Sequence, residues 1–408
     1  MNLTDFYTKE WKAEIKKLKK ETHSFDIKSA IIDVSKKIDI EYHESSRNLT
    51  QLTNLHHGQR KLFLGELLCI TTLLGDLIDK PKKVNILYIG AADGKHIPFL
   101  DNLFPGLLNW VLYDGAEFSS RIDKKKIDAR QRLFDDEELK LFNTSNVDIF
   151  ISDIRSSDSG DKHIREKAIY RDMNLQFKWV RAIKPKLGSF LKFKPVESNY
   201  NEYLFTKKKA DKSIRGMDFD DNIINPESGP GHLNGDVFTS IRGFIYKQAY
   251  PPRNSEETRL LIPAENTDLN MEINLKNYDS ACVYHNVINR PWIKYDKVCK
   301  VKGFDSCFDC SYEYFIWEQY FELVGGKPKI EKYMNELSKE LNQFLIKPGS
   351  DHGKKIITGG NPNFLTIGLT IDIVIIILLL LLFVYFCSLG RTNSRLAGIA
   401  GNIATVRT

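Results

Sequence analysis

The sequence predicts an α/β fold, a parallel sheet with helices on both faces, followed by one C-terminal transmembrane helix. Three observations lead there. Short apolar runs alternate with helical patterns from residue 84 to residue 263, which is the pattern of a parallel sheet. Several of those runs end in Gly or Asp. Residues 373–390 are 18 uncharged residues dominated by Ile and Leu, close to the ~20 needed to cross the hydrocarbon core of a bilayer.

Each element has its own signal. Residues 9–40 carry a Lys- and Glu-rich helical pattern and read as a solvated helical arm, residues 1–40 in all. Residues 59–76, "QRKLFLGELLCITTLLGD", place apolar side chains at helical spacing and predict a buried helix. "VNILYIG" (84–90) is a buried strand ending in Gly, and "KHIPFLDNLF" is a helix. "LNWVLYDG" (108–115) and "VDIFISDI" (147–154) are strands with Asp near their ends. Residues 163–183 read as a helix, "GSFLKFK" (188–194) and "TRLLIP" (258–263) as strands. Residues 206–236 are polar and rich in Gly, Asp and Asn, a long surface loop. Residues 311–323 and 328–346 are helices that close the domain 41–346. Residues 347–363 form a Gly-rich linker, 364–390 the span, and 391–408 a short basic tail.

Bulk numbers bound the rest. With 42% hydrophobic and 27% charged residues in 408, the chain is not wholly disordered. A net charge of +6 permits an acidic partner such as RNA without demonstrating one. Six cysteines are few for a disulfide scaffold of this length, so a reducing compartment is expected. The first 20 residues lack the apolar core of a secretory signal. Basic residues flank both sides of the span and leave its orientation open. A span so near the end fits a tail anchor, with the preceding residues in the cytosol.

Open parallel sheets bind ligands at the carboxyl ends of their strands. Those ends carry Gly90, Asp114, Asp153 and Lys192. A glycine turn lets backbone approach a nucleoside closely. Asp114, 24 residues after Gly90, is placed to accept hydrogen bonds from ribose hydroxyls. "GAADG" lacks the spacing of a pyrophosphate-binding turn, which favours S-adenosylmethionine over a dinucleotide. Taken alone, Asp153 and Lys192 read more readily as a structural ion pair.

Seven segments in order, "GQRKLFLGEL", "YIGAADGKHI", "LYDG", "FDDEEL", "ISDIRS", "FLKFK" and "SEETRLL", resemble the poxvirus-type messenger RNA cap 2′-O-methyltransferases. That family also serves as the small regulatory subunit of poly(A) polymerase. The resemblance spans roughly residues 40–345. It implies a Rossmann-like, S-adenosylmethionine-dependent methyltransferase sheet, capped mRNA as substrate and a viral poly(A) polymerase catalytic subunit as partner. It implies a catalytic tetrad of Lys61, Asp153, Lys192 and Glu257. Lys192 would be the general base, Lys61 a neighbouring positive charge, and the two acids would orient lysines and hydroxyl. A lysine base must be neutral near neutral pH, so its pKa must fall from about 10.4 through burial and a nearby cation.

By the same resemblance, Gln59, Tyr88, Gly90, Gly94, Asp114, Phe134 and Asp153 would hold the cofactor. Ala116 stands where the family has a basic residue. Tyr42 would stack on the methylated guanine, Asp279 would face its edge, and Lys194 and Ser255 would touch the RNA. The second stacking ring is in doubt, since Val196 stands where Phe is expected. Asp93 puts a negative charge beside the expected position of the cofactor's sulfonium.

Cys282, Cys299, Cys307 and Cys310 fall within 29 residues but show only one CxxC pair, so packed thiols and no metal are expected. Asn48 in "NLT" and the run Lys207–Lys209 read as an unused glycosylation triplet and a solvated loop. The whole is expected to be membrane-anchored, with its catalytic domain in the host cytoplasm and packaging in a virion as a further reading.

Overall fold

Val84–Ile89 (β1) is apolar on both faces and buried at five of its six positions, which is what a central strand requires. The computed structural model describes residues 9–36, 38, 57–75, 83–156, 161–198, 204, 225–252, 255–296, 304–325 and 329–343. Around β1 lie Leu108–Asp114 (β2), Asp128–Gln131 (β3), Ile149–Ser152 (β4) and Gly188–Phe193 (β5). Phe244–Tyr246 (β7) and Thr258–Pro263 (β8) complete a seven-stranded sheet in the order β3-β2-β1-β4-β5-β8-β7.

The first five strands pair in parallel, but β8 runs antiparallel to both β5 and β7. The sheet is therefore mixed rather than all-parallel. This reversal matters for the site, because the amino end of β8 meets the carboxyl end of β5. Val237–Ile241 (β6) and Asn270–Asn274 (β9) form a small separate sheet with Leu233–Asn234, which falls inside the stretch 206–236 read from sequence as a loop. Short strands of mixed polarity such as β3, "DARQ", carry little periodic signal.

Helices cover both faces. Gly58–Leu74 (α2) packs Phe63, Leu64 and Leu67 with Ile86, Tyr88 and Trp110 on one face, backed by Trp317 of Phe308–Val324 (α7). Lys162–Ile183 (α5) sets Tyr170, Met173 and Phe177 against Leu87, Ile89 and Tyr113 on the other. Each such buried apolar side chain contributes on the order of 1.5–3 kcal/mol. Ile97–Leu103 (α3), Asp136–Leu141 (α4), Leu275–Tyr284 (α6) and Ile330–Glu340 (α8) fill the remaining helical positions.

The N-terminal arm departs from its reading. Lys9–Leu18 (α1) is helical, but a two-residue strand and a one-turn helix, Ile27–Ala30, follow. Nor is the segment merely solvated. Phe25 is buried among the rings of Tyr295, Phe308, Tyr312 and Phe315. Among the described residues no helix is long and apolar enough to cross a membrane. The predicted span 364–390, with linker 347–363 and tail 391–408, lies outside those residues, as do Tyr42, Asn48, Lys207–Lys209 and Cys299.

Candidate active site

Four chain segments bring Lys61, Asp153, Lys192 and Glu257 together. Lys61 sits in the first turn of α2, Asp153 directly follows β4, Lys192 is in β5, and Glu257 directly precedes β8. Lys61 Nζ lies 3.0 Å from Glu257 Oε1, and Lys192 Nζ lies 3.1 Å from Asp153 Oδ1 and 3.7 Å from Glu257 Oε2. The antiparallel register places Arg259 opposite Lys192, so both side chains rise on the same face. Arg259 reaches Asp153 at 2.6 Å, and Arg155 reaches Glu257 at 2.8 Å.

Arg259 and Arg155 are site residues that sequence reasoning missed. A signal existed for the first: an arginine inside the buried strand "TRLLIP" must find a partner, because an unpaired buried charge is prohibitive. Gln248 joins the set, accepting from Arg259 Nε at 3.0 Å and donating to Glu257 Oε1 at 3.2 Å. No sequence signal pointed to it.

The cluster holds four cations, Lys61, Lys192, Arg155 and Arg259, against two carboxylates, Asp153 and Glu257. Burial opposes the ionisation of Glu257, but Lys61, Lys192, Arg259 and Arg155 outweigh it and hold the carboxyl well below its usual range. Burial likewise opposes ionisation of Asp153, and Arg259 and Lys192 outweigh it. Lys61 goes the other way. Burial lowers its pKa, the Arg259 and Lys192 charges add to that, and Glu257 only partly restores it. The site of Lys61 thus weighs against its protonated form.

The turn after β1 is shaped by its own packing. Gly90 has φ +81°, and a Cβ there would sit 2.8 Å from the backbone of Asp153. The turn can pass the end of β4 so closely only with glycine at that position. Gly94, at φ +67°, would put a Cβ 3.0 Å from the Ala91 carbonyl. Asp114 accepts from the amides of Ala92 and Ala116 at 3.0 and 2.8 Å, one on each oxygen. Asp93 pairs with Lys95 at 3.2 Å, both partly exposed, so its charge has a lysine beside it.

Gln59 and Tyr88 are linked beneath this turn. His96 bridges Gln59 Oε1 at 2.7 Å and Glu66 Oε2 at 2.8 Å, and the Tyr88 hydroxyl donates to Glu66 Oε1 at 2.7 Å. Tyr88 is 1% exposed, so its side chain belongs to the core. Phe134 is also buried, edge-on to Tyr113 and Trp179. Its ring sits in a core cluster.

Next to the tetrad, Lys194 lies 2.9 Å from Glu166, 3.9 Å from Glu197 and 4.0 Å from Glu256. Asp279 joins this acidic group and accepts from the Ser198 amide at 3.2 Å. Ser255 accepts from the Glu257 amide at 3.2 Å, which ties it to the tetrad loop. Val196 is 1% exposed and offers no stacking surface. A cavity of about 440 Å³ lined by Leu87, Tyr113, Arg130, Arg132 and Phe142 contains none of the tetrad.

Fold and site define a class: an α/β protein with an ion-paired Lys-Asp-Lys-Glu cluster at the carboxyl ends of a mixed sheet. Residues 30–214 match the family described as "Poly A polymerase regulatory subunit". That stretch holds Lys61, Asp153 and Lys192 and ends before Glu257. A "Cap-specific mRNA (nucleoside-2'-O-)-methyltransferase" of Fowlpox virus (strain NVSL) is 32% identical over 145 residues, 34% of this chain and 46% of that protein. The protein of that name from Myxoma virus (strain Lausanne) is 31% identical over 159 residues, 37% of this chain and 46% of its own. The chain spans about half the length of these curated relatives. Among solved structures, bluetongue virus VP4, titled "a multifunctional RNA- capping production-line", aligns over 71% of this chain and 36% of its own. The identity is 11% and the TM-score 0.37, a likeness too distant to carry a conclusion.

Proposed function

We propose that this chain is an S-adenosylmethionine-dependent methyltransferase acting on the ribose 2′-hydroxyl of the first transcribed nucleotide of capped mRNA. The observation that carries it is the convergence of Lys61, Asp153, Lys192 and Glu257 within salt-bridge distance at the carboxyl ends of the strands. The printed names of the curated relatives support it.

The residues present fit the cofactor. Each Asp114 oxygen accepts one backbone amide and keeps a second lone pair for a ribose hydroxyl. Gly90 and Gly94 lie in the same turn, Asp153 packs against Gly90, and Gln59 is tied to it through His96. Tyr88 and Phe134 lie in the core, Phe134 against Tyr113 of β2. When bound, S-adenosylmethionine supplies a methyl group made electrophilic by its sulfonium. This chain supplies the rest. In its neutral form Lys192 Nζ takes the proton of the ribose hydroxyl, with Asp153 at 3.1 Å fixing the amine. Glu257 holds Lys61 and Lys192 to one carboxylate, and Arg259 locks Asp153 in place. Asp279, Lys194 and Ser255 lie beside this centre, where the cap and RNA backbone would run; the resemblance alone assigns Tyr42 as the stacking ring.

A methyl-transfer assay on capped RNA tests this. Lys192→Ala should lower turnover about 10²–10⁴-fold, the usual contribution of a positioned base, with cofactor binding kept. Activity that survives the substitution rules the mechanism out. A second reading follows from the family match: an RNA-binding regulatory subunit for a viral poly(A) polymerase. Cofactor and RNA binding without methyl transfer by the wild-type chain would select it. We also propose that residues 364–390 anchor the protein in a membrane, with the catalytic domain on the cytosolic side.

A further inference from the structure

The cysteine-rich stretch does not stay together in the fold. Cys282 lies in α6, where its thiol faces the Glu256 carbonyl at 3.8 Å. Cys307 and Cys310 belong to "DSCFDC", residues 305–310, at the start of α7. Cys307 is the N-cap residue and half-buried, while Cys310 is 1% exposed. Asp305 folds back over the helix start and accepts from the Cys307 amide at 2.9 Å. One ligand atom from each of Asp305, Cys307 and Cys310 lies within 4.8 Å of the other two.

We propose that Asp305, Cys307 and Cys310 form a binding site for a zinc-class divalent cation. Two sulfurs bound at about 2.3 Å in a tetrahedral zinc site stand roughly 3.8 Å apart, so a rotamer adjustment of the order of 1 Å closes the set. Thiolate ligands select zinc over magnesium or calcium. Binding replaces two protons: the cation joins the Cys307 and Cys310 sulfurs, and both thiol protons leave to solvent. The third ligand is an Asp305 oxygen. Cys307 is the half-buried member, so the fourth position lies toward solvent and takes water.

A divalent cation bound here would bridge Asp305 to both sulfurs across the start of α7. Its place in the fold gives it a structural role. It pins the start of α7, and α7 carries Glu313, whose partner Arg60 is the neighbour of Lys61.

The test uses the full chain in detergent, purified under reducing conditions without chelator and titrated with Co²⁺. One Co²⁺ per chain should bind, with a thiolate-to-cobalt charge-transfer band that Zn²⁺ displaces. Cys307→Ser and Cys310→Ser should each abolish the band, and Asp305→Asn should weaken binding about tenfold or more, with far-UV circular dichroism unchanged. If the serine variants fail to fold, the wild-type titration and its stoichiometry decide alone. The proposal is overturned by a wild-type chain with all thiols reduced that shows no band. It is also overturned by a band that persists in the double serine variant, or by a Cys307–Cys310 disulfide in protein isolated without reductant.

Discussion

The fold opposes the charge of Asp279. Burial pushes its carboxyl up to about 7, and Glu256 adds to this while the Ser198 amide pulls back. A folded-state pKa above the unfolded 3.8 stabilises the protein fully below that value and loses the contribution as pH rises toward about 7. Urea unfolding should therefore show stability falling between these limits in the wild type. Asp279→Asn should flatten that dependence, and an unchanged slope would refute the assignment. Asp153 and Glu257 have the opposite sign, since their folded pKa values are depressed. Their contribution is present above the ordinary carboxylate range and lost as pH falls through the depressed values. At this scale the tetrad was legible, because four ionisable residues sat inside recognisable motifs. Arg259, Arg155, Gln248, His96 and Glu66 were not singled out, because their roles are contacts to other residues. Only the pairing of Arg259 with Asp153 and of His96 with Gln59 and Glu66 gives them meaning.

Among the elements, α2 does two jobs with adjacent residues. Lys61 points to the tetrad, while Arg60 points into the core and makes a two-pronged pair with Glu313 of α7 at 2.7 and 2.6 Å. Both partners are fully buried. Glu313→Ala leaves an uncompensated guanidinium and should cost about 3–5 kcal/mol, whereas Arg60→Met with Glu313→Leu should cost far less. Denaturant midpoints of the three proteins check this, and equal losses would contradict it. The helix and its burial were evident from spacing, but the buried places of Arg60 and Glu66 within it were not. Strand β8 was also read correctly as a strand, but its direction was not. Local sequence sets extended structure, whereas direction depends on where the chain returns.

At the scale of the whole molecule, the proposed anchor is residues 364–390. Deleting residues 364–408 should release the protein from membranes into the soluble fraction after cell fractionation, with methyl transfer on capped RNA retained. Persistent membrane association of the truncated chain would refute the span. The sequence by itself determined the α/β class, the central strands and the turn at Gly90, which follow from local hydrophobic pattern; the four tetrad residues were singled out by the resemblance of short motifs to a known family. Tertiary structure alone decided that the sheet is mixed, that Phe25 belongs to the core, and that Arg259 stands opposite Lys192. It also decided that Cys307 and Cys310 part company with Cys282 and meet Asp305. Such facts depend on contacts between residues far apart in the chain, and local pattern carries no information about which distant partner a side chain will meet.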